Sequence, residues 1–233
     1  MPKKKAAASY SSSLPKRECK ISTRDNPEQA ELARLIRDND AKIIFGLGNA
    51  GTGKTFISIY IAYQLVHEKK YSKILYSRDA VQLGAELGYL PGDIDDKFSP
   101  FMACLQDNLE SIERLGGPKA TEVESKIEPT PITFLRGRSL EDCILIIDEA
   151  QNLDLITLKA ILTRLGVYAK VILLGSMNQI DNVRQRKKDV CDFERVMDAL
   201  SSFDFVGIVT LKQSKRSEIC SIVDETLSAL KDI

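Results

Sequence analysis

A glycine-rich segment between an apolar run and a helix-forming run is the feature that most restricts the fold of this 233-residue chain. Residues 48–55 read GNAGTGKT and match the pattern G-x-x-x-x-G-K-[ST] at every fixed position. The run before it, residues 41–47, predicts a buried strand, and residues 54–69 predict a helix. Glycines in such a turn let several backbone N–H groups point inward, and the following helix N-terminus adds a favourable dipole. The segment therefore predicts a strand–turn–helix unit whose turn binds phosphate groups.

Apolar runs of the same kind recur along the chain. Further strands are expected at residues 73–77, 143–147, 170–174 and 205–211, with 131–135 as another candidate. Helices are expected at residues 26–38, 96–115, 155–165, 194–200 and 217–230. Continuous apolar strands that alternate with helices are typical of a parallel sheet covered on both faces. The sequence thus predicts one three-layer α/β domain.

The N-terminal segment differs in charge from the rest of the chain. Residues 1–24 carry seven basic residues and one acidic residue, whereas the whole chain has 33 Lys+Arg against 33 Asp+Glu. We expect residues 1–20 to form a disordered basic arm, which either binds nucleic-acid phosphates or only keeps the terminus soluble.

Composition excludes several classes of protein. An apolar share of 43% excludes a mostly disordered chain. No apolar run approaches the ~20 residues that a membrane helix needs, so we expect no membrane partner. Five scattered Cys and one His complete no zinc pattern, and free thiols in a cytoplasmic protein are expected.

The side chains of the turn and of one strand end indicate nucleotide chemistry. The residues expected to bind nucleotide in the turn are Gly48, Asn49, Ala50, Gly51, Thr52, Gly53, Lys54 and Thr55. Lys54 supplies a positive charge to the β- and γ-phosphates, and the Thr55 hydroxyl is placed to bind Mg²⁺. An apolar strand ends in Asp148 and Glu149, at the edge of the sheet where ligands bind. We expect Asp148 to hold Mg²⁺ and Glu149 to act as the general base, unless Glu149 only opens the next turn.

The chain resembles the PhoH-like family of P-loop ATPases, which has a superfamily 1 helicase-type core. The similarity covers about residues 20–225 and rests on the segments DEAQN (148–152), GAELGYLPGD (84–93), FLRGRSL (134–140) and LTRLG (162–166). It implies one RecA-like P-loop NTPase domain at residues 21–233, hydrolysis of ATP with Mg²⁺, and action on RNA or single-stranded DNA as a helicase-like enzyme. Ser176 departs from the family pattern, which usually has Asp there, and Asp79 stands where Pro is usual.

The resemblance also assigns roles outside the two motifs. Gln29 matches a glutamine that reads the adenine edge, although it also completes a helix capping box with Asn26. Gln179 matches a motif III glutamine that senses the γ-phosphate and the attacking water. Arg216 matches an arginine near the last helix that would act as an arginine finger, with Arg164 as the weaker candidate. The arginines expected to contact nucleic acid, in predicted loops near the ligand edge, are Arg78, Arg136 and Arg138.

Assembly follows from the same resemblance. A conventional superfamily 1 helicase holds ATP between two RecA-like domains, and this sequence predicts one. We therefore expect a homo-oligomeric ring, most simply a hexamer, in which Arg216 of one copy reaches the ATP of its neighbour. A cytoplasmic protein of a bacterial cell or a phage-infected host would fit this description.

Two other functions stay open at this stage. A small-molecule P-loop kinase would use residues 80–140 for an acceptor site and a lid. A non-hydrolysing, nucleotide-gated RNA-binding module is the other alternative, because Ser176 lacks the usual carboxylate.

Overall fold

The structure is a computed structural model that describes residues 26–78, 94–180, 182, 185 and 187–214, with only the backbone for residues 94–102. Within this part of the chain, the strands are β1 (Ile43–Gly48), β2 (Lys73–Arg78), β3 (Ile127–Pro129), β4 (Cys143–Asp148), β5 (Ala169–Gly175) and β6 (Val206–Leu211). The helices are α1 (Pro27–Arg37), α2 (Lys54–His67), α3 (Ile94–Arg114), α4 (Ala120–Glu124), α5 (Ile132–Leu135), α6 (Leu155–Leu162) and α7 (Asp192–Leu200). A 3₁₀ turn covers Ala150–Asn152.

The strands form one parallel sheet in the order β3-β2-β4-β5-β1-β6. Because all strands point the same way, their carboxyl ends meet at one edge, where α/β proteins bind ligands. β5 lies between β1 and β4. The chain that leaves β5 therefore emerges between the glycine-rich turn after β1 and the acidic pair at the end of β4.

Helices cover both faces of the sheet, and this explains why the central strands are apolar throughout. Ile144 and Ile146 of β4 pack into the core beneath α1 to α4. Their neighbours Leu145 and Ile147 pack into the opposite core, with α6 and α7. Successive strand residues point to opposite faces, so a strand covered on both faces needs an apolar residue at each position. The predicted parallel α/β fold is confirmed.

The segment before β4 corrects one prediction. Residues 131–135, the additional strand candidate, form α5 (Ile132–Leu135), and the edge strand is β3 (Ile127–Pro129). Pro131 explains the difference, because it has no N–H for a ladder and its φ of −58° suits a position at a helix start. The predicted helix at 217–230 and the predicted arm at 1–20 lie outside the described residues. None of the helices in the described ranges is long and apolar enough to cross a membrane.

A buried lysine on β5 fixes α1 to the sheet. Nζ of Lys170 donates to the carbonyl oxygens of Ile36 (2.7 Å) and Asp38 (2.5 Å) at the end of α1. Burial, with the nearby charge of Lys42, lowers the pKa of Lys170 to about 8. A cation at this end of a helix interacts favourably with the last carbonyls, so Lys170 orients α1, whose first turn carries Gln29.

Candidate nucleotide-binding site

The turn between β1 and α2 needs glycine at both of its ends. Gly48 and Gly53 have φ values of +143° and +86°. A Cβ at Gly48 would lie 2.3 Å from the carbonyl oxygen of Leu211, and one at Gly53 would lie 2.7 Å from Nε2 of Gln29. Both residues thus need glycine for their backbone angles and for the close approach of a neighbour. We call this turn, residues 48–55, the phosphate loop.

Hydrogen bonds from its own side chains stabilise the phosphate loop. Thr52 Oγ1 donates to the carbonyl oxygen of Asn49 at 2.9 Å. Lys54 Nζ donates to the carbonyl oxygens of Gly48 (2.5 Å) and Asn49 (2.9 Å). The ammonium group therefore lies against the loop, on the first residue of α2, where a phosphate bound by the loop would meet its charge.

Gln29 joins α1 to the phosphate loop. Its backbone N–H donates to Asn26 Oδ1 at 3.0 Å, which confirms Asn26 as the N-cap of α1. Its side chain, which a complete capping box would turn back toward Asn26, instead donates from Nε2 to the carbonyl oxygen of Thr52 at 2.8 Å. This contact places Gln29 beside the loop, and its part in reading adenine stays a prediction.

The first carboxylate of the acidic pair meets the phosphate loop. Asp148 is buried at the end of β4, and Oγ1 of Thr55 lies 3.2 Å from both of its carboxylate oxygens. The backbone N–H of Glu149 donates to Oδ1 at 3.1 Å, and the hydroxyl of Tyr76 donates to Oδ2, also at 3.1 Å. Burial and the charge of Glu149 raise the pKa of Asp148, while the charge of Arg78 and the Tyr76 hydroxyl act against that rise. The two residues predicted to bind a metal are thus side by side.

The second carboxylate is held by a strained backbone and two side chains. Glu149 has φ +56° and ψ +35°, a left-handed conformation that costs a non-glycine residue about 1 kcal/mol or more. Its Oε2 accepts from Gln151 Nε2 at 2.8 Å, and its Oε1 lies 3.4 Å from Nη2 of Arg78. The side chain remains 30% exposed. Glu149 therefore begins the next turn and also presents a fixed carboxylate that solvent can reach.

Gln151 connects this carboxylate to the turn after β5, a role that sequence reasoning missed. Its side chain is fully buried. Nε2 donates to the carbonyl oxygen of Gln179 at 2.8 Å as well as to Glu149, and Oε1 accepts from the backbone N–H of Ser176 at 3.2 Å. The only signal in the sequence was its place in the segment DEAQN, which indicates the family and not the contacts.

The turn after β5 also contacts the phosphate loop. Asn178 Nδ2 donates to Oδ1 of Asn49 at 3.1 Å, and Ser176 Oγ lies 3.5 Å from the same atom. The backbone N–H of Gln179 donates to the carbonyl oxygen of Ser176. This places Gln179 between the phosphate loop and the acidic pair, as the strand order requires. Ser176 stands where the family usually has Asp. Its hydroxyl lies beside Asn49 of the phosphate loop, and its backbone N–H donates to Gln151, which holds Glu149.

The three arginines predicted to contact nucleic acid lie in different surroundings. Arg78 is the last residue of β2 rather than a loop residue, and it faces Glu149 beside the acidic pair. Arg136 follows α5, and its Nη2 hydrogen-bonds Oγ1 of Thr157 in the first turn of α6. Both thus lie near the carboxyl edge of the sheet, Arg136 in the turn after α5 and Arg78 at the end of a strand.

Arg138 is engaged in an ion pair away from the phosphate loop. Its Nη1 lies 2.5 Å from Oε1 of Glu128, and Lys73 Nζ lies 2.7 Å from the other carboxylate oxygen. Hydrogen bonds from Arg138 and Lys73 lower the pKa of Glu128 to about 2. Lys73 is the first residue of β2, so this cluster lies toward the amino ends of the strands.

One of the two arginine-finger candidates, Arg164, lies away from the phosphate loop. Arg164 is exposed after α6, next to Leu165, which pairs with Leu140 ahead of the amino ends of β4 and β5. Arg216 and Asp79 lie outside the described residues.

A buried carboxylate, Asp192, anchors the segment that connects β5 to α7. Oδ2 of Asp192 accepts from the backbone N–H of Leu155 (3.0 Å), from Gln185 Nε2 (3.0 Å) and from Lys188 Nζ (2.5 Å). Burial would raise the pKa of Asp192, but the hydrogen bonds from Lys188, Gln185 and Leu155 lower it to about 2. Asp192 therefore ties the segment that begins with Gln179 to the start of α6.

We expect Asp192→Asn to lower the free energy of unfolding at pH 7 by about 2–3 kcal/mol, because it removes several hydrogen bonds to a buried charge. The folded pKa lies below the unfolded value of about 3.9, so this stabilisation is complete above about pH 4 and is lost as the pH falls toward 2. Urea unfolding at several pH values measures it. Asp198→Asn, an exposed change on the same helix, is the control. A deficit that stays constant from pH 7 to pH 2 would contradict this assignment.

Comparison with known proteins decides the family. The family model described as PhoH-like protein matches residues 20–228. This chain belongs to the PhoH-like family. Among curated relatives, a PhoH-like protein of Bacillus subtilis is 34% identical over 188 residues, which are 80% of this chain and 57% of the relative. Protein PhoH of Escherichia coli is 36% identical over 202 residues, 82% of this chain and 54% of the relative.

The PhoH-like chain spans about half the length of the curated relatives that it matches. A Synechocystis PhoH-like protein is 40% identical over 154 residues, and the aligned region covers 66% of this chain and 46% of the relative. Among solved structures, Pif1 helicase from Candida albicans covers 87% of this chain and 43% of its own, with 18% sequence identity and a TM-score of 0.43. The PhoH-like family consists of P-loop NTPases. Membership in it implies that residues 48–55, which carry the P-loop pattern, bind nucleotide.

Proposed function

We propose that this PhoH-like protein is a Mg²⁺-dependent ATPase that acts on RNA or single-stranded DNA. The observation that carries the proposal is the meeting of three groups at one edge of the sheet. These groups are the phosphate loop, the Thr55–Asp148 pair and the fixed carboxylate of Glu149. P-loop NTPases need these three functions to bind phosphates, to hold a metal ion and to activate water.

The phosphate loop is suited to the triphosphate. The glycines at positions 48 and 53 let the loop adopt the positive φ values that such a turn needs, and Lys54 brings a positive charge to the same place. Gln29 contacts Thr52 of this loop and would read the adenine base from there. ATP is the proposed substrate on the strength of the family resemblance.

Thr55 and Asp148 are the residues that would hold Mg²⁺. Both offer oxygen atoms, the ligands that Mg²⁺ prefers, and their oxygens are 3.2 Å apart. Within the described ranges, no group of three or more His, Cys, Asp or Glu side chains could hold a metal ion. Thr55 and Asp148 would supply two of the ligands, and the phosphates of the substrate and water would supply the others, as is usual for Mg²⁺. When bound, Mg²⁺ would neutralise the phosphate charge.

Glu149 is the proposed general base for hydrolysis. Its carboxylate would accept a proton from the attacking water, and Gln151 holds that carboxylate in place through Oε2. Gln179, on the turn between the phosphate loop and Glu149, would orient the water against the γ-phosphate. The segment DEAQN and Gln179, the match to the motif III glutamine, resemble an ATP-hydrolysing family, and this argues against a small-molecule kinase.

Nucleic-acid binding and assembly complete the proposal. Arg78 and Arg136 lie near the carboxyl edge, where guanidinium groups can contact phosphates, whereas Arg138 would first have to release Glu128. We keep Arg216 as the arginine finger, supplied by a neighbouring copy in a ring, with a hexamer as the expected form. The cytoplasm is the expected location.

The proposed function can be tested by phosphate release from Mg²⁺–ATP with and without single-stranded RNA or DNA. We expect hydrolysis that depends on Mg²⁺ and rises with at least one nucleic acid. A mass measurement of the same sample, with a non-hydrolysable ATP analogue, should show a closed oligomer. RNA binding without hydrolysis would favour the nucleotide-gated binding module, and phosphate transfer only to an added hydroxyl acceptor would favour a kinase. A monomer at all concentrations, with and without the analogue, would exclude the ring.

A further inference from the structure

A buried tyrosine contacts the carboxylate that is proposed to hold Mg²⁺. Tyr76 lies on β2 with none of its surface exposed, among the apolar side chains of the core beneath α1 to α4. Its hydroxyl donates to Oδ2 of Asp148 at 3.1 Å. A hydroxyl in such a core is costly unless it is hydrogen-bonded, and phenylalanine would fill the same space without that cost. The position of this hydroxyl therefore calls for an explanation beyond packing.

The register of the sheet explains how the contact arises. Tyr76 pairs with Ile146, and Asp148 is the next residue of β4 on the same face. That step is about 6.6–7 Å along the strand, and an extended tyrosine side chain can cross it. Tyr76 therefore reaches Asp148 from one strand away, at the level where the strands end.

Each oxygen of the Asp148 carboxylate accepts a hydrogen bond from a donor outside the phosphate loop. The Tyr76 hydroxyl donates to Oδ2, and the backbone N–H of Glu149 donates to Oδ1. Two donors on opposite oxygens restrain rotation of the carboxylate about its Cβ–Cγ bond. Oγ1 of Thr55 is 3.2 Å from both oxygens, so the restrained carboxylate turns its edge toward the residue that would share the metal.

We propose that Tyr76 is a positioning residue for the Mg²⁺ site, acting through Asp148, an inference that rests on the proposed function. Groups that hydrogen-bond a metal-binding side chain fix its orientation, and their loss typically weakens metal binding 10- to 100-fold. Tyr76 thus sets how much Mg²⁺ the site needs, and it takes no direct part in binding the nucleotide or in the chemical step.

The test compares Tyr76→Phe with a matched variant, Tyr63→Phe. Tyr63 on α2 also donates its hydroxyl to a carboxylate, that of Glu122 on α4, which is outside the proposed metal site. Binding of a fluorescent ADP analogue is titrated with Mg²⁺ and is also measured in EDTA. We expect Tyr76→Phe to need about tenfold more Mg²⁺ for half-maximal binding, with binding in EDTA within about twofold of wild type. Tyr63→Phe should follow the wild-type Mg²⁺ curve.

Thermal unfolding gives a second readout that does not depend on turnover. The rise in unfolding temperature on adding Mg²⁺ to the ADP-bound protein should shrink in Tyr76→Phe and persist in Tyr63→Phe. An unchanged Mg²⁺ curve in Tyr76→Phe, or an equal change in both variants, would overturn the inference. Binding of the analogue to wild-type protein with no dependence on Mg²⁺ would overturn the inference as well. The proposed function fails instead if wild-type protein shows no Mg²⁺-dependent phosphate release from ATP, and the two failures are thereby distinguished.

Discussion

Glu149→Gln is expected to slow ATP hydrolysis by about a hundred- to ten-thousandfold while Mg²⁺–ATP stays bound. Glutamine has the shape of glutamate but cannot take a proton from water. It can still accept from Gln151 Nε2, which now holds Oε2 of Glu149, so the turn should keep its conformation. The left-handed backbone at position 149 is equally unfavourable for both residues, and stability should change little.

The neutral side chain changes one interaction of the site. Arg78 Nη2, at 3.4 Å from Oε1 of Glu149, loses its ion pair. A negative charge is also removed from the place where the γ-phosphate would bind, so affinity for ATP should stay equal or rise. Loss of turnover together with unchanged or tighter binding is the combination that identifies a base.

Single-turnover phosphate release and equilibrium binding of ATP measure the two effects separately. Glu141→Gln, an exposed change close to the start of β4, is the matched control and should behave as wild type in both assays. Turnover of Glu149→Gln within about tenfold of wild type would refute the base assignment, because removal of a general base costs at least about a hundredfold.

The parts of this site that the sequence predicts are those written in local patterns. The phosphate loop is encoded in eight consecutive residues, and the strand that precedes it is a continuous apolar run. The edge strand β3 was missed because it has only three residues, IEP, which form no apolar run. Its pairing with β2 defines it as a strand. Pro131 then starts a helix within the apolar run that had favoured a strand.

Contacts between distant residues could not be predicted in the same way. Tyr76 and Asp148 are 72 residues apart in the chain, and only the pairing of β2 with β4 brings them together. Gln151 reaches Gln179 because β5 is inserted beside β4, which no local pattern reveals. The identities of the metal-binding and basic groups are therefore readable from the sequence, whereas the residues that orient them depend on strand order and register.

Lys54→Ala is expected to abolish measurable ATP hydrolysis, a loss of about a hundred- to a thousandfold or more, by removing the charge that faces the transferred phosphate. The ammonium group also donates to the carbonyl oxygens of Gly48 and Asn49, so alanine both lowers the positive charge and loosens the loop. Nucleotide affinity should therefore fall as well, in contrast to Glu149→Gln. Because the two substitutions differ in this respect, binding and turnover measured side by side assign separate roles to the two residues.

Lys54→Arg separates the charge from the shape of the group. Arginine keeps the positive charge, but its planar fork cannot replace a compact ammonium between the loop carbonyls, so this variant should also be strongly impaired. Lys70→Ala, which removes an exposed lysine beyond α2 that pairs with Glu68, should hydrolyse ATP at the wild-type rate. Hydrolysis by Lys54→Ala within about tenfold of wild type would place the phosphates away from this loop, since loss of one such charge costs at least about a hundredfold. The roles of Thr55 and Asp148 as metal ligands would then lose their basis too, because both are defined by their position beside it.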